Sequence, residues 1–310
     1  AYNEGKALDL YADFPAEHIV KRDPQGNWCR WGGSAYESLI TGVKGSVFCM
    51  VEGPDGKIYV GGSFTKAGEI ADTLGIARWN PITSLWESIS TLQSAENVSA
   101  MAFDANGDLY VCGSFANYGS KDGDNIVKIT GLNGTPTVSA LGTGTVGNSS
   151  KIAIAPNGDV YVGGAFTGAG GVANTAKIAK WNGTTWSALA TGLNNDVNAL
   201  AFAPNGDLYI GGNFTNADGT YGDYLCYWNG SAFVRVGSVE LSGRVYALAF
   251  DEYGKLYVGG SFTNAGGVAD ADYIACWNGS QWESLGTGTN SPVWDITVNS
   301  GKVYAAGTFT

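Results

Sequence analysis

Histidine is the residue that this sequence most conspicuously lacks. The 310 residues include one histidine, His18, and only 15% of the chain is charged. A Ser–His–Asp or Cys–His arrangement would have to use His18. Zinc sites need clustered histidine and cysteine residues, and no such cluster is visible in the sequence. We interpret His18 as a surface or packing residue. The sequence therefore favours a protein that is not an enzyme of these classes.

Cysteine is also sparse and shows no metal-binding spacing. The five residues are Cys29, Cys49, Cys112, Cys226 and Cys276, and no two form a CxxC pair. An odd number leaves at least one cysteine without a disulfide partner. We interpret them as free buried thiols, because cysteine packs well as a small hydrophobe. Free thiols favour synthesis in a reducing compartment, even for a protein that acts outside the cell.

Basic residues and long apolar runs are scarce as well. Lys and Arg number 17 against 28 Asp and Glu, which gives a formal net charge of −11. Binding to nucleic acid or to an anionic membrane rests on basic patches, so neither is an expected partner. No apolar run approaches the roughly 18–20 residues of a membrane span. The first residues are not followed by the apolar core of a signal peptide, although a cleaved signal or a piece of a longer chain would look the same.

Glycine and aromatic residues are abundant and recur with a fixed period. One ten-residue segment, Gly-Lys-Ile-Tyr-Val-Gly-Gly-Ser-Phe-Thr in its first copy, appears six times, at 56–65, 107–116, 158–167, 206–215, 254–263 and 301–310. The phenylalanines of successive copies are 51, 51, 48, 48 and 47 residues apart. A period near 50 indicates six supersecondary units.

Each unit contains four segments with the pattern of short strands. In the fifth unit these are 245–250, 256–260, 274–277 and 282–285, and a hairpin-type turn separates the first two. Four antiparallel strands per repeat form one blade of a β-propeller. The sequence predicts an all-β fold, a six-bladed β-propeller of four-stranded blades.

The two ends of the chain predict how the last blade is completed. The sixth repeat stops after its second strand, whereas residues 31–39 match the third and fourth strands at 277–285. We therefore expect residues 27–40 to complete the last blade, which would remove its open sheet edge. The predicted domains are a single propeller over 27–310 and an N-terminal extension over 1–26, either an anchoring arm or a loosely packed terminus.

The repeat resembles the kelch repeat and the central propeller of galactose oxidase. Its fuller pattern is Tyr-Val-Gly-Gly-Ser-Phe-Thr-x-Ala-Gly-Gly followed by Ile-Ala-x-Trp-Asn-Gly-x-x-Trp. This pattern is similar to repeats in large bacterial surface proteins, fungal cortical polarity-marker proteins and some phage virion proteins. The resemblance implies architecture and little about function. The copper chemistry of galactose oxidase is excluded, because it needs two histidine ligands and this chain has one histidine.

The loops between second and third strands vary most among repeats, and variable loops on a rigid scaffold usually carry binding. We expect them to share one face with the loops that join successive blades. The predicted ligand-binding residues are Tyr118, Asp122, Asp124, Tyr221, Asp223, Asp270 and Asp272. The tyrosines offer faces for sugar rings and the aspartates accept hydroxyl hydrogen bonds or hold a cation. The alternative is a solvated loop face without a ligand.

Asp- and Asn-rich turns at 104–108, 156–159 and 204–207 supply oxygen atoms that could suit calcium. We interpret them as hairpin turns, because Asn-Gly and Asp-Gly serve that geometry without a metal and the spacing is not that of an EF-hand. No cofactor and no metal site are predicted.

These observations favour a non-catalytic recognition module that binds a glycan or a protein at a cell surface, as part of a virion or surface appendage. The expected location is extracellular, on a cell surface or a virion. One alternative is a structural propeller anchored in a larger assembly by its N-terminal arm. The other is a glycan hydrolase or lyase that uses two carboxylates, which need only meet in space.

Overall fold

The computed structural model describes residues 20–22, 28–30, 42–68, 70–71, 73, 75–89, 97–116, 124–217 and 222–310. Regular structure in these residues is mainly β-strand, with a short 3₁₀ turn at Ala265–Gly267. The described part of the chain has no helix that is long and apolar enough to cross a membrane.

A two-stranded antiparallel hairpin comes first, formed by β1 (Val20–Arg22) and β2 (Trp28–Arg30). Six repeats of strands follow, and we call them blades one to six. Blade one contains β3 (Val43–Glu52), β4 (Ile58–Ala67), β5 (Ile70–Ala71), β6 (Ile76–Asn80) and β7 (Leu85–Ser88). Blade two contains β8 (Asn97–Phe103), β9 (Leu109–Ser114), β10 (Ile126–Thr130) and β11 (Thr137–Ala140). Blade three contains β12 (Ser149–Ile154), β13 (Val160–Gly164), β14 (Ile178–Trp181) and β15 (Trp186–Ala188).

The last three repeats follow the same plan. Blade four contains β16 (Val197–Phe202), β17 (Leu208–Gly212), β18 (Leu225–Trp228) and β19 (Phe233–Arg235). Blade five contains β20 (Val245–Phe250), β21 (Leu256–Gly260), β22 (Ile274–Trp277) and β23 (Trp282–Ser284). Blade six contains β24 (Val293–Asn299) and β25 (Lys302–Gly307).

The sheets have the predicted topology. In blades one, two, four and five the four main strands lie side by side in chain order, and β5 adds a short strand beside β4. Neighbouring strands in these sheets are antiparallel. The four-strand repeat read from the sequence is therefore confirmed.

The predicted completion of blade six remains open. Its strands β24 and β25 form a two-stranded antiparallel sheet among the described residues. Residues 31–40, which we expect to supply its outer strands, lie outside those residues. Trp28–Arg30 is described, and it pairs with Val20–Arg22 in a hairpin that the sequence analysis did not anticipate. The assignment of 27–40 to blade six stays a prediction.

The chain divides into two compact units. One includes residues 42–154 and 183–185, and the other includes residues 155–182 and 186–310. Blades one and two lie wholly in the first unit. Blades four, five and six lie wholly in the second unit.

A β-bulge near the start of the first strand recurs in five blades. The register shifts there between Val47 and Cys49, Val98 and Ala100, Val197 and Ala199, Val245 and Ala247, and Val293 and Asp295. Each bulge lies opposite the Gly-Gly position of the second strand. At Gly260 the reason for glycine is direct, because a β-carbon there would collide with the carbonyl oxygen of Arg244. Close approach of two backbones is the usual role of such a glycine.

Aromatic and aliphatic side chains fill the cores of both units. In blade one, Trp79 and Trp86 lie edge to face with ring centroids 5.4 Å apart, and Trp79 is fully buried. In blade two the equivalent residues are Ile129 and Val138, which are also buried. The same core position therefore accepts side chains of different size, while the strands around it keep their pattern.

Candidate functional site

In the Asp- and Asn-rich turns between first and second strands, side-chain oxygens form hydrogen bonds with the backbone of the same turn. In blade two, Asp104 Oδ1 accepts hydrogen bonds from the backbone N–H groups of Asn106 at 2.9 Å and Asp108 at 3.0 Å. In blade three, the backbone N–H of Asp159 donates to Asn157 Oδ1 at 3.0 Å. Side chains that bond the backbone two residues ahead are a common way to stabilise a turn. The geometry supports the structural interpretation of these motifs.

Lysine ammonium groups from the third strands pair with the same turns. Lys128 Nζ lies 2.8 Å from Asp108 Oδ2 and 3.3 Å from Asp104 Oδ2, and Lys180 Nζ lies 3.3 Å from Asp159 Oδ2. Burial alone would lower the pKa of Lys128, but its hydrogen bonds, with Asp108 first, raise it overall. The described residues contain no group of three or more His, Cys, Asp or Glu side chains suited to a metal ion.

Loops between second and third strands contact the links that follow the fourth strands. The backbone N–H of Thr145 donates to the carbonyl oxygen of Asp124 at 3.0 Å, and that of Thr289 donates to Asp272 O at 3.2 Å. In blade four a side chain makes the equivalent contact between loop and link: Glu240 Oε2 accepts a hydrogen bond from the Asp223 backbone N–H at 3.0 Å. In each of these three blades the two kinds of loop therefore lie at the same end of the strands, and we call this end of a blade its loop face.

Two of the predicted ligand-binding aspartates hold their own loops together. Asp223 Oδ1 accepts a hydrogen bond from the backbone N–H of Asn216 at 2.7 Å, and Asp272 Oδ1 accepts from Asn264 at 2.7 Å. Both aspartates lie two residues before the third strand. Each carboxylate closes its loop with the same bond, so the structure gives these side chains a structural function. Their role in ligand binding stays a prediction.

The other predicted site residues are Asp124 and Asp270, which the structure describes, and three residues that lie outside the described part of the chain. Asp124 occupies the same position in blade two, where it forms an isolated bridge with Gly144. Asp270 is exposed and has a left-handed backbone with φ of 63°. Tyr118, Asp122 and Tyr221 lie outside the part of the chain that the structure describes.

The residue that precedes the third strand has a left-handed backbone in five repeats. Its φ is 78° at Gly75, 62° at Asn125, 66° at Lys177, 63° at Tyr224 and 62° at Tyr273. Tyrosine and lysine rarely adopt this conformation, which favours glycine and asparagine. The loops therefore return to the sheet through one shared backbone geometry, whichever side chain stands there.

A partly exposed aromatic pair lies at the loop face, and the sequence analysis missed it. The rings of Tyr246 and Trp294 are stacked, with centroids 4.5 Å apart and planes inclined by 26°. Each is the extra residue of the bulge in its first strand, in blades five and six. Trp294 is 50% exposed. Neither residue has a register partner on the neighbouring strand, and a bulge commonly changes the direction of a side chain.

Backbone contacts place this pair at the loop end of the strands. The N–H of Ser261, just after the second strand, donates to Arg244 O at 2.8 Å, two residues before Tyr246. In blade four the equivalent bulge residue is Asn198, whose Nδ2 donates to Val245 O at 3.3 Å and to Asn213 Oδ1 at 3.0 Å. Successive members of the set Asn198, Tyr246 and Trp294 are 48 residues apart, and each follows a valine of the repeat. This variable position after a repeated valine was the sequence signal that could have identified the aromatic pair.

The four cysteines whose side chains the structure describes have the properties of unreactive thiols. Cys49, Cys112, Cys226 and Cys276 are free, and the last three are buried. Burial raises the pKa of Cys49 to about 12 and also raises those of Cys112 and Cys226. A thiol with a raised pKa holds little thiolate at neutral pH and is a poor nucleophile. The interpretation as buried free thiols is confirmed for Cys112, Cys226 and Cys276, and Cys49 is a free thiol that is only partly buried.

Family models agree with the repeats. Residues 177–309 match a model described as the Rax2 C-terminal beta propeller domain. Residues 53–81 match a beta-propeller domain of unknown function, DUF5122. No curated protein matches the chain in sequence.

The solved structures that this chain resembles are distant from it in sequence. Virginiamycin B lyase from Staphylococcus aureus is 12% identical, with 93% of this chain and 84% of that chain covered and a TM-score of 0.56. The extracellular domain of a hybrid two-component system protein from B. thetaiotaomicron is 12% identical, with 93% and 38% covered and a TM-score of 0.61. A GH74 enzyme from Niastella koreensis is 17% identical, with 84% and 40% covered and a TM-score of 0.56. The chain is a six-bladed β-propeller, and at these identities the likeness shows the fold alone.

Proposed function

We propose that this propeller is a non-catalytic recognition module that binds a glycan or a protein through its loop face, at a cell surface or on a virion. The observation that carries the proposal is the stacked pair of Tyr246 and the half-exposed Trp294. Large aromatic side chains that stay exposed often mark a binding surface.

The loop face also has the rigidity that recognition needs. Loops in blades four and five are closed by the carboxylates of Asp223 and Asp272, and Glu240 ties the blade-four loop to the following link. A surface that is ordered before binding loses less conformational entropy when the ligand arrives. The remaining carboxylate oxygens then serve as acceptors for ligand hydroxyl or amide groups.

Histidine-dependent lyase chemistry is not part of this proposal. One structural neighbour, virginiamycin B lyase, is catalytically inactive as a histidine-to-alanine variant. The single histidine of this chain, His18, lies in the predicted N-terminal extension. Lyase chemistry of that kind would need a histidine, so we expect this propeller to retain the architecture without the reaction.

Binding of the labelled protein to a broad glycan array tests the proposal, with calcium and with a chelator. We expect reproducible binding that is lost in Trp294→Ala, Tyr118→Ala or Tyr221→Ala and retained in Tyr253→Ala. Tyr253 is a matched control, since it is 81% exposed but lies in the hairpin turn of blade five, between its first and second strands. Arrays of glycans and of surface-protein extracts that are both blank for the wild-type protein would contradict the proposal.

A second candidate is an assembly role for the N-terminal extension. Strand β25 has β24 as its partner among the described residues, which leaves a sheet edge for residues 27–40. If these residues complete blade six, the part of the extension before the hairpin of Val20–Arg22 and Trp28–Arg30 remains available to grip a larger structure. Deletion of 1–19 would then leave the unfolding midpoint unchanged and abolish co-assembly, whereas deletion of 1–41 would lower the midpoint sharply.

A further inference from the structure

We infer that Tyr246 and Trp294 form the stacking platform for one neutral hexopyranose ring. This inference rests on the proposed function and identifies the ligand chemistry of that site. The two rings stack at 4.5 Å, so Tyr246 supports one side of Trp294. An indole that is half exposed and backed by a second ring offers a flat apolar surface of the size of one sugar ring. The C–H groups on one face of a pyranose are the natural partner for such a surface.

The platform is rigid because its backbone is anchored on both strands. Val245 and Val293, the residues just before the two aromatic residues, are fully buried. The bulges fix the direction in which Tyr246 and Trp294 point. Two aromatic side chains that are held in place lose little entropy on binding, since each has few rotatable bonds.

Polar residues lie next to the two aromatic residues along the same strands. Arg244 and Asp295 are both exposed, and each lies within two residues of a platform ring. Asn198 contributes an amide at the equivalent position of blade four, bonded to the carbonyl of Val245. These groups can donate to and accept from sugar hydroxyls.

The charges at this site favour a neutral sugar. One arginine and one aspartate flank the platform, so it has no local excess of either sign. The chain as a whole has a net charge of −11. Anionic sugars such as uronic acids would approach against this field, and the local cation that could hold them is balanced by Asp295.

A protein partner is the weaker assignment for this pair. A stable protein interface buries roughly 800 Å² on each side, with an apolar centre and a polar rim. Two stacked rings with charged neighbours on each side are much smaller than that. They match the footprint of a single ring with hydroxyl groups.

Fluorine NMR of protein labelled with 5-fluorotryptophan tests the inference directly. The chain has 10 tryptophans, and comparison with Trp294→Phe assigns the resonance of Trp294. The probes are methyl β-D-galactopyranoside, methyl β-D-glucopyranoside, methyl β-D-glucuronide and tetramethylammonium chloride. We expect a saturable shift of the Trp294 resonance with at least one neutral glycoside. The affinity should fall about tenfold in Tyr246→Ala, which removes the supporting ring, and stay unchanged in Tyr253→Ala.

Several outcomes would overturn the inference. No shift of Trp294 with either neutral glycoside at about 50 mM would do so, as this exceeds the millimolar range of weak small ligands. An equal or larger response to the glucuronide or to tetramethylammonium would do so as well. The array experiment distinguishes failure of this inference from failure of the proposed function. Array binding that persists in Trp294→Ala would reject the platform and keep the recognition module, whereas blank arrays for the wild-type protein would contradict the recognition module itself. Unfolding midpoints of the variants show whether each one is folded.

Discussion

Blades two and five show how differently the same blade can be built. Both have four antiparallel strands in chain order, and both have the register shift at the start of the first strand. Blade five has Trp277 and Trp282 in its outer strands, where blade two has Ile129 and Val138. The backbone plan is therefore independent of the large aromatic residues that make the repeat easy to recognise.

The seam between consecutive blades differs as well. In blade five a β-carbon on Gly259 would lie 2.7 Å from Val293 Cγ1, in the first strand of blade six. In blade two Cys112 occupies the glycine position, and the residue at the valine position of the next first strand is the buried Ser149. Strand β12, which contains Ser149, packs against β9, which contains Cys112. The difference indicates a volume exchange, in which a larger residue on one side of a seam is matched by a smaller one on the other.

The largest effect should come from the glycine that both blades keep. A β-carbon on Gly260 would collide with the carbonyl oxygen of Arg244, and one on Gly113 with that of Asn97. Because the obstacle is backbone, Gly260→Ala and Gly113→Ala should each destabilise the protein by about 3 kcal/mol or more. Urea unfolding measures the loss. A matched control is Gly134→Ala, where the added carbon comes no closer than 4.0 Å to a neighbour.

A small effect at Gly113 together with a large one at Gly260 would break the comparison. It would mean that the backbone plan of blade two is not the plan of blade five. Equal losses in the two blades would show that close backbone approach at the bulge is the feature that they share.

The volume exchange predicts the second largest effect. Gly259→Cys should cost about 2 kcal/mol, since the side chain would press on Val293 and on Ile296, whose Cδ1 would lie 2.9 Å from the added β-carbon. Adding Val293→Ser should recover part of the loss, so the double-mutant cycle gives a favourable coupling of about 1 kcal/mol. Strictly additive losses in urea unfolding would show that the Cys112 and Ser149 pair is unrelated to packing across the seam.

The loop-closing aspartates come next, and they separate structural from binding roles on the loop face. Asp272→Ala removes the acceptor for the Asn264 backbone N–H and should cost about 1–2 kcal/mol. Its neighbour Asp270 is exposed and has a φ of 63°, so Asp270→Asn, which tolerates this backbone, should change stability by less than about 0.5 kcal/mol. Thermal unfolding checks both. If the two substitutions have equal effects on stability, the closure of the loop by Asp272 is unimportant.

Much of this architecture could be predicted from the sequence, because each blade repeats the same local signals. The segments expected at 245–250, 256–260 and 274–277 coincide with β20, β21 and β22. Alternating apolar residues and hairpin turns are local features, and six copies of one unit reinforce each other.

The candidate site was harder to predict because it depends on a one-residue shift in register. Tyr246 and Trp294 are the extra residues of their bulges, and the sequence pattern alone does not show that their two rings stack. The function of Asp223 and Asp272 was missed for a related reason. A carboxylate in a variable loop looks available for a ligand until the backbone N–H that it accepts is known.

Blade one extends the comparison to ion pairs. Glu87 Oε2 lies 2.9 Å from Lys57 Nζ and 2.7 Å from Arg78 Nε. The equivalent acid in blade five, Glu283, has one cationic partner, Lys255 Nζ at 3.2 Å. The third strand explains the difference, since blade five has a cysteine at the position of Arg78. Because of the extra cation, the contribution of Glu87 to the free energy of unfolding should depend more strongly on pH than that of Glu283.

The smallest predicted effect tests that difference. Burial alone would raise the pKa of Glu87, but hydrogen bonds from Lys57 and Asn80 and the charge of Arg78 lower it from 4.5 to about 2. Its contribution is therefore complete above the unfolded pKa near 4.5 and is lost as the pH falls toward 2. Glu87→Gln should lower stability at pH 7 by at most about 1 kcal/mol, because the pair is partly exposed. The gap between wild type and variant in urea unfolding should close on acidification, and Glu283→Gln should show a smaller gap throughout. A gap that stays constant between pH 7 and pH 3 would mean that Glu87 stabilises blade one through packing, with its charge contributing nothing.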